Sequence, residues 1–148
     1  VHAPSDMDIS NQHLGDRSQY AYAFQSLLAN HATLVFGSDA PVEPINPFWG
    51  IHAAVTRQRL DGTPGKNGWH PEQRLSLTQA LEGFSRRPAE LTERSLRFGQ
   101  ILPGRMADFI ILDQDPFEMH PSELHRIRPL ATFIQGSPVY QSKSLNLA

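Results

Sequence analysis

The pattern of this sequence predicts an α/β chain that divides near residue 95, with helices and buried strands before that point and mostly strands after it. Three observations carry the reading. Residues 16–30 repeat apolar side chains at helical spacing, Ala32-Thr33-Leu34-Val35-Phe36 forms a short apolar run with β-branched members, and after Leu96 the period changes to that of strands. Strands that alternate with helices imply a parallel sheet. One helix between two strands does not complete such a sheet.

The elements follow in order. Tyr20, Phe24, Leu27, Leu28 and His31 fall on one face of the first predicted helix, with Asp16 as its cap or first-turn acid. Ala32 to Phe36 is bounded by Gly37-Ser38-Asp39 and reads as a buried strand. Asn46 and Pro47 suit the cap and first position of a second helix, running to about Arg59 and burying Phe48, Trp49, Ile51 and Val55. Residues 61–73 hold three glycines and two prolines and form a long loop. Ser76-Leu77-Thr78-Gln79 is a capping box, and the helix behind it buries Leu77, Ala80, Leu81 and Phe84. Pro88 starts another short helix through Glu93. Beyond it come a strand at Phe109–Leu112 and a helical turn at Pro121–His125. Strands at Leu130–Ile134 and Pro138–Tyr140 join around Gln135-Gly136-Ser137 as a hairpin. The polar tail 141–148 is expected to fray.

Composition removes several function classes. The 148 residues include no cysteine, which excludes disulfides, thiolate metal sites and a cysteine nucleophile. It also fits a reducing compartment, and the expected location is cytoplasmic. A net charge of -2 gives no reason to expect nucleic acid or an acidic membrane as partner. The longest strictly aliphatic or aromatic run is Phe109-Ile110-Ile111-Leu112, against the ~20 residues of a spanning helix. The sequence starts at Val1 with no visible secretory signal, and the expectation is a piece of a longer chain.

Asp39 is the sharpest candidate for chemistry. It follows the predicted strand in Gly37-Ser38-Asp39-Ala40-Pro41-Val42, where a parallel α/β architecture gathers its ligands. A carboxylate there can ligate a divalent metal or act as a general base. Spacing alone favours the blander role of turn or cap residue. His2 stands at the expected end of another strand, where it could touch substrate or metal or simply be hydrogen-bonded structure. His31 and His52 read as packing residues, and His120 and His125, five apart, do not share a helix face. No His-x-His, His-Glu-x-x-His or Cys-x-x-Cys is present, so no complete metal site is readable. Gly62, Gly65 and Gly68 do not open a helix after a strand and give phosphate binding little support. Trp69-His70 suits a lid or an ordinary surface loop.

Ordered blocks then carry a resemblance. They are Val1-His2-Ala3-Pro4-Ser5-Asp6-Met7, Ala21-Tyr22 with Leu27-Leu28, Phe36-Gly37-Ser38-Asp39-Ala40-Pro41-Val42-Glu43, Ile51-His52-Ala53-Ala54-Val55-Thr56-Arg57, and Gly68-Trp69-His70-Pro71-Glu72-Gln73-Arg74-Leu75-Ser76. Ala80-Leu81, the segment from Gly99 to Gly104, Ala107-Asp108, Asp113 with Asp115-Pro116, Ala131-Thr132 and Gly136 complete the set. The chain resembles the C-terminal part of the amidohydrolase superfamily, in the branch that includes N-substituted formamide deformylase.

The resemblance implies a C-terminal fragment of a TIM-like (β/α)8 barrel over residues 1–95, followed over 96–148 by strands of a small β-sandwich. A complete barrel takes about 250 residues, more than this chain has. The resemblance also implies a metal-dependent hydrolase of carbon–nitrogen bonds other than peptide bonds, acting on a small amide-like substrate. Asp39 would be both metal ligand and proton shuttle, and His2 would bind substrate. The expected cofactor is a divalent metal, zinc first, held by the full-length parent, because catalytic zinc takes three protein ligands and this piece offers one. The isolated chain is then expected to be inactive. Faces carrying Phe24, Leu28, Phe48 and Trp49 are expected to be wet unless the rest of the barrel or another copy covers them. The competing reading is a non-catalytic binding or assembly module that kept the fold.

Overall fold

The computed structural model describes residues 1–145; of the tail expected to fray, residues 146–148 lie outside the described residues. The chain runs through α1 (His2–Ser5), α2 (Met7–Leu14), a 3-10 turn (Gly15–Tyr20), α3 (Phe24–Ala29), α4 (Pro47–Thr56), a second 3-10 turn (Pro71–Gln73), α5 (Leu77–Phe84) and α6 (Arg86–Leu91). Strand β1 (Phe109–Leu112), a third 3-10 turn (Pro121–Arg126), β2 (Pro129–Ile134) and β3 (Ser137–Gln141) follow.

Helix α4 begins as its sequence dictates. The Asn46 side chain accepts from the Phe48 N–H at 3.0 Å, with Pro47 at the first turn. It stops at Thr56 rather than Arg59, because Arg57 takes a left-handed conformation (φ 58°) and its N–H closes on the Ala53 carbonyl. The capping box at α5 is complete: Ser76 accepts from Gln79 N–H, and the Gln79 side chain accepts from Ser76 N–H. Helix α6 covers Arg86–Leu91, starting two residues ahead of Pro88.

The first part departs from the α/β expectation. No strand forms among residues 1–95, all of which are described. The predicted helix over 16–30 breaks into a 3-10 turn and α3, because Tyr22 sits at φ 53° between them. Its carbonyl accepts from Arg57 and its hydroxyl donates to Asp6, so tertiary contacts override the helical period. Of the predicted face, Phe24 and Leu28 pack against the core while Tyr20 and His31 are exposed.

Residues 32–38 are extended but pair with no other strand, so neither a parallel sheet nor a crossover from Val1 forms. Exposure alternates along them: Leu34 and Phe36 turn toward the core, Thr33 and Val35 away. The Phe36 N–H donates to the Gly83 carbonyl at 2.9 Å, so α5 stands where a neighbouring strand was expected.

The core is Phe48, Ile51, Ala54, Leu75, Ala80, Leu124 and Ile127, with Phe24, Phe36 and Phe84 packed onto it. Phe48, expected to be wet unless covered, is 4% exposed and covered by this chain's own elements. The hairpin is as the sequence predicts. Strand β1 pairs antiparallel with β2, from Phe109 opposite Phe133 to Ile111 opposite Ala131, and β2 pairs antiparallel with β3. The Phe109 and Phe133 rings stack with centroids 4.5 Å apart.

Candidate functional site

Asp39 closes the extended segment at its carboxyl end. Phe36 anchors that segment between Phe24 and Phe84, with ring centroids at 5.3 Å and 5.6 Å. Three residues later the chain turns: Asp39 adopts φ 53° and its carbonyl accepts from the Val42 N–H at 2.9 Å. Aspartate tolerates the left-handed region better than most residues because its short polar side chain bonds locally. The carboxylate is exposed and stands at a turn.

His2 is in α1 rather than at a strand end. Its Nδ1 lies 4.0 Å from Glu43 Oε1. The ring helps line a hollow of about 280 Å³ with Tyr22, Leu34, Phe36, Gly37 and Ala53. That hollow is apolar along most of its wall, and Gly37 brings it within two residues of Asp39 in the chain.

The residues that sequence reasoning missed surround Arg57. Its side chain is 0% exposed yet no carboxylate among the described residues forms an ion pair with it. Nε donates to the Trp69 carbonyl at 2.9 Å and Nη1 to the Tyr22 carbonyl at 3.1 Å, while the guanidinium lies 5.0 Å from the Trp69 ring centre and 5.4 Å from that of Phe24. Burial pulls its pKa down to about 10, a drop that the Glu72 charge only partly offsets. Trp69 is itself buried and donates to Asn11. Residues 69–70 are therefore pinned and are neither a free lid nor a plain surface loop. His70 reaches Ser18 Oγ at 3.4 Å and Glu72 at 3.6 Å. Burial first, and then the hydrogen bond to Asp6, push the Tyr22 phenol up to about 12. The sequence signal for Arg57 was thin: a cation ending a helix whose other residues are mostly apolar.

A metal centre needs several ligands converging. Among the described residues no group of three or more His, Cys, Asp or Glu side chains stands close enough to hold an ion. Asp39 offers one carboxylate and no companion, so this chain's own residues do not fit a metal centre. Among the described residues no helix is long and apolar enough to cross a membrane.

Comparison with known proteins places this arrangement. The model of the amidohydrolase family matches residues 2–140. The chain belongs to the amidohydrolase family. This amidohydrolase chain is 32% identical to the Bacillus subtilis (strain 168) protein YtcJ over 126 residues, 85% of its own length. It is 34% identical to the Arabidopsis thaliana protein LONG AFTER FAR-RED 3 over 143 residues, 94% of its length. With the N-substituted formamide deformylase of Arthrobacter pascens it shares 25% identity over 136 residues, 90% of its length. It spans 24% of the length of each of these curated relatives. Among solved structures, an amidohydrolase from Thermotoga maritima MSB8 superposes with a TM-score of 0.62 over 95% of this chain and 36% of that one. At 16% identity that likeness is one of fold.

Proposed function

We propose that this amidohydrolase chain is the C-terminal portion of a hydrolase that cleaves carbon–nitrogen bonds other than peptide bonds in small amide-like substrates. The observation that carries the reading is the family match across residues 2–140, with Asp39 inside its Gly37-Ser38-Asp39-Ala40-Pro41-Val42-Glu43 block. The relative named N-substituted formamide deformylase supports a formamide or another acyl-amine as substrate. Residues 1–95 then belong to the hydrolase body and 96–148 to a small β-domain.

In this reading Asp39 is the proton carrier. Its carboxylate takes a proton from the attacking water as the C–O bond forms. The resulting carboxylic acid then gives the proton to the nitrogen as the C–N bond breaks, leaving an acid and an amine. An exposed carboxylate on a turn is free to do both. His2, at the rim of the apolar hollow, contacts the substrate. A divalent metal, zinc first, belongs to the whole protein, with Asp39 as one ligand and the others outside this chain. This chain alone is expected to be inactive.

Asp39→Asn in the longer protein is the test. The amide is nearly isosteric but a poor base, so turnover of an N-substituted formamide should fall ~10²–10⁴-fold, about 3–5 kcal/mol of barrier. The folded structure should persist. Near-normal turnover would remove Asp39 from the mechanism. Absence of any hydrolysis by the unaltered longer protein across acyl-amines would favour a binding or assembly module.

A further inference from the structure

A separate hollow, of about 390 Å³, opens where the carboxyl end of α4, residues 66–74 and the start of the turn Pro121–Arg126 come together, and it shares no lining residue with the hollow beside His2. It brings Lys66, Arg74 and His120 to one space, with Gln58 and Ser122 among them and no acidic residue in the lining. Lys66 and Arg74 form no ion pair among the described residues. The acids beside this lining in sequence are engaged elsewhere: Glu72 lies 3.6 Å from His70, and Glu123 pairs with Arg126. Arg74 Nη2 donates to the Lys66 carbonyl at 3.1 Å, which ties the two residues together, while Arg74 Nε is buried with no hydrogen-bond partner. The guanidinium therefore lacks a counter-charge. His120 Nδ1 accepts from the Ser122 N–H at 3.3 Å, so the neutral ring carries its proton on Nε2 as a further donor.

We propose that this hollow binds a phosphate group, free or as a small phosphate monoester, between Lys66, Arg74 and His120. A monoester carries close to two negative charges at neutral pH, which balances the two fixed cations, and its oxygens accept from guanidinium, ammonium and imidazole together. A carboxylate would offset only one of the two. Arginine meets an oxyanion with a planar fork and lysine with a compact charge, so the pair suits one tetrahedral anion better than two separate ones. The donors are side chains, and the glycines of the loop take no part. The carbonyl end of α4 would repel an anion, but this chain's own N–H groups occupy it: Leu75 donates to the Ala54 carbonyl at 3.0 Å and Trp69 to the Arg57 carbonyl at 2.9 Å.

The test is titration of the 148-residue chain with sodium phosphate at fixed pH and ionic strength, followed by the NMR signals of its backbone amides and imidazoles. Glycerol phosphate and sodium acetate are titrated in parallel, and all three titrations are repeated for Arg74→Gln and Lys66→Gln. Phosphate should saturate a single site with a Kd of about 1 mM or tighter, shifting the amides of Lys66, Arg74 and Ser122 and the ring of His120. Acetate should bind at least ~10-fold more weakly, and each variant should weaken phosphate by a similar factor. Lys66 is exposed, so Lys66→Gln keeps the measurement available if Arg74→Gln fails to fold. Glycerol phosphate binding at least as tightly as inorganic phosphate would assign the site to esters, and its exclusion to the free ion. No saturable shift at these residues below about 10 mM phosphate would overturn the proposal. Acetate binding as tightly as phosphate would overturn it too, and so would phosphate binding unchanged by Lys66→Gln, which places the anion elsewhere.

Discussion

Arg57 keeps a charge where no solvent reaches, and two carbonyls with two aromatic faces stand in for the missing carboxylate. Replacing a buried charge by an apolar group is often neutral, but here the Trp69 and Tyr22 carbonyls lose charged donors. Arg57→Met should cost about 2 kcal/mol in urea unfolding. Arg57→Lys should cost nearly as much, because a compact ammonium cannot serve both carbonyls at once. A loss below the error of the fit would show that the guanidinium is idle. His52 gives a pH prediction. The free imidazole titrates near 6.5 and the folded one near 4, lowered by burial first and by His125 second. Above 6.5 both states are neutral and its contribution is complete. As pH falls from 6.5 toward 4, the unfolded chain takes a proton that the folded chain refuses, and up to about 3 kcal/mol is lost. His52→Phe should flatten stability against pH over that interval; an unchanged slope would assign it to other groups.

At the scale of elements, two predictions separate local from tertiary control. Ser76→Ala removes one half of the α5 capping box and should cost about 1 kcal/mol, with Ser76→Gly milder. Thermal unfolding of the pair checks it. Gly68 is a tertiary case: it sits at φ +66°, and a Cβ there would stand 2.2 Å from the Thr56 carbonyl oxygen. Gly68→Ala therefore strains the loop and pushes Trp69 off Arg57, and should cost ~2 kcal/mol or more. Trp69 fluorescence would shift toward that of solvated indole; a native emission maximum would show that the loop adapts at no cost. The capping box and the Asn46-Pro47 start were legible because caps are satisfied within four residues. The break at Tyr22 was not, because its causes, Arg57 and Asp6, lie 35 and 16 residues away.

The whole molecule leaves a particular apolar surface open. Val42 and Ile45 are 69% and 80% exposed beside the Asp39 turn, and Leu27 and Val35 are exposed as well. Backbone groups along 32–38 stay without strand partners. Exposed extended edges of this kind recruit further chains. Sedimentation of the isolated chain should give a mass above 16.6 kDa that rises with concentration. Val35→Lys should return it toward the monomer. A fixed 16.6 kDa at high concentration would refute the exposed edge as an association site. Asp39→Asn should leave the stability of this isolated chain unchanged within about 0.5 kcal/mol, since the carboxylate is exposed on a turn. A larger change in urea unfolding would mean that Asp39 has a structural partner.

What the sequence determined by itself is what short-range chemistry enforces. The start of α4, the capped α5, the hairpin of β2 and β3, and each of the family blocks between Val1 and Gly136 follow from residues near one another in the chain. The state of Ala32 to Phe36 was decided only in three dimensions. Its β-branched, apolar sequence makes it extended, but a strand also needs a neighbour, and here α5 supplies the Gly83 carbonyl instead. Tertiary structure likewise decided that His2 lies in a helix, that Trp69 is locked against a buried arginine, and that His52 and His125, 73 positions apart, touch. Periodicity reports which face of an element is apolar; what that face meets is set by the packing of the other elements.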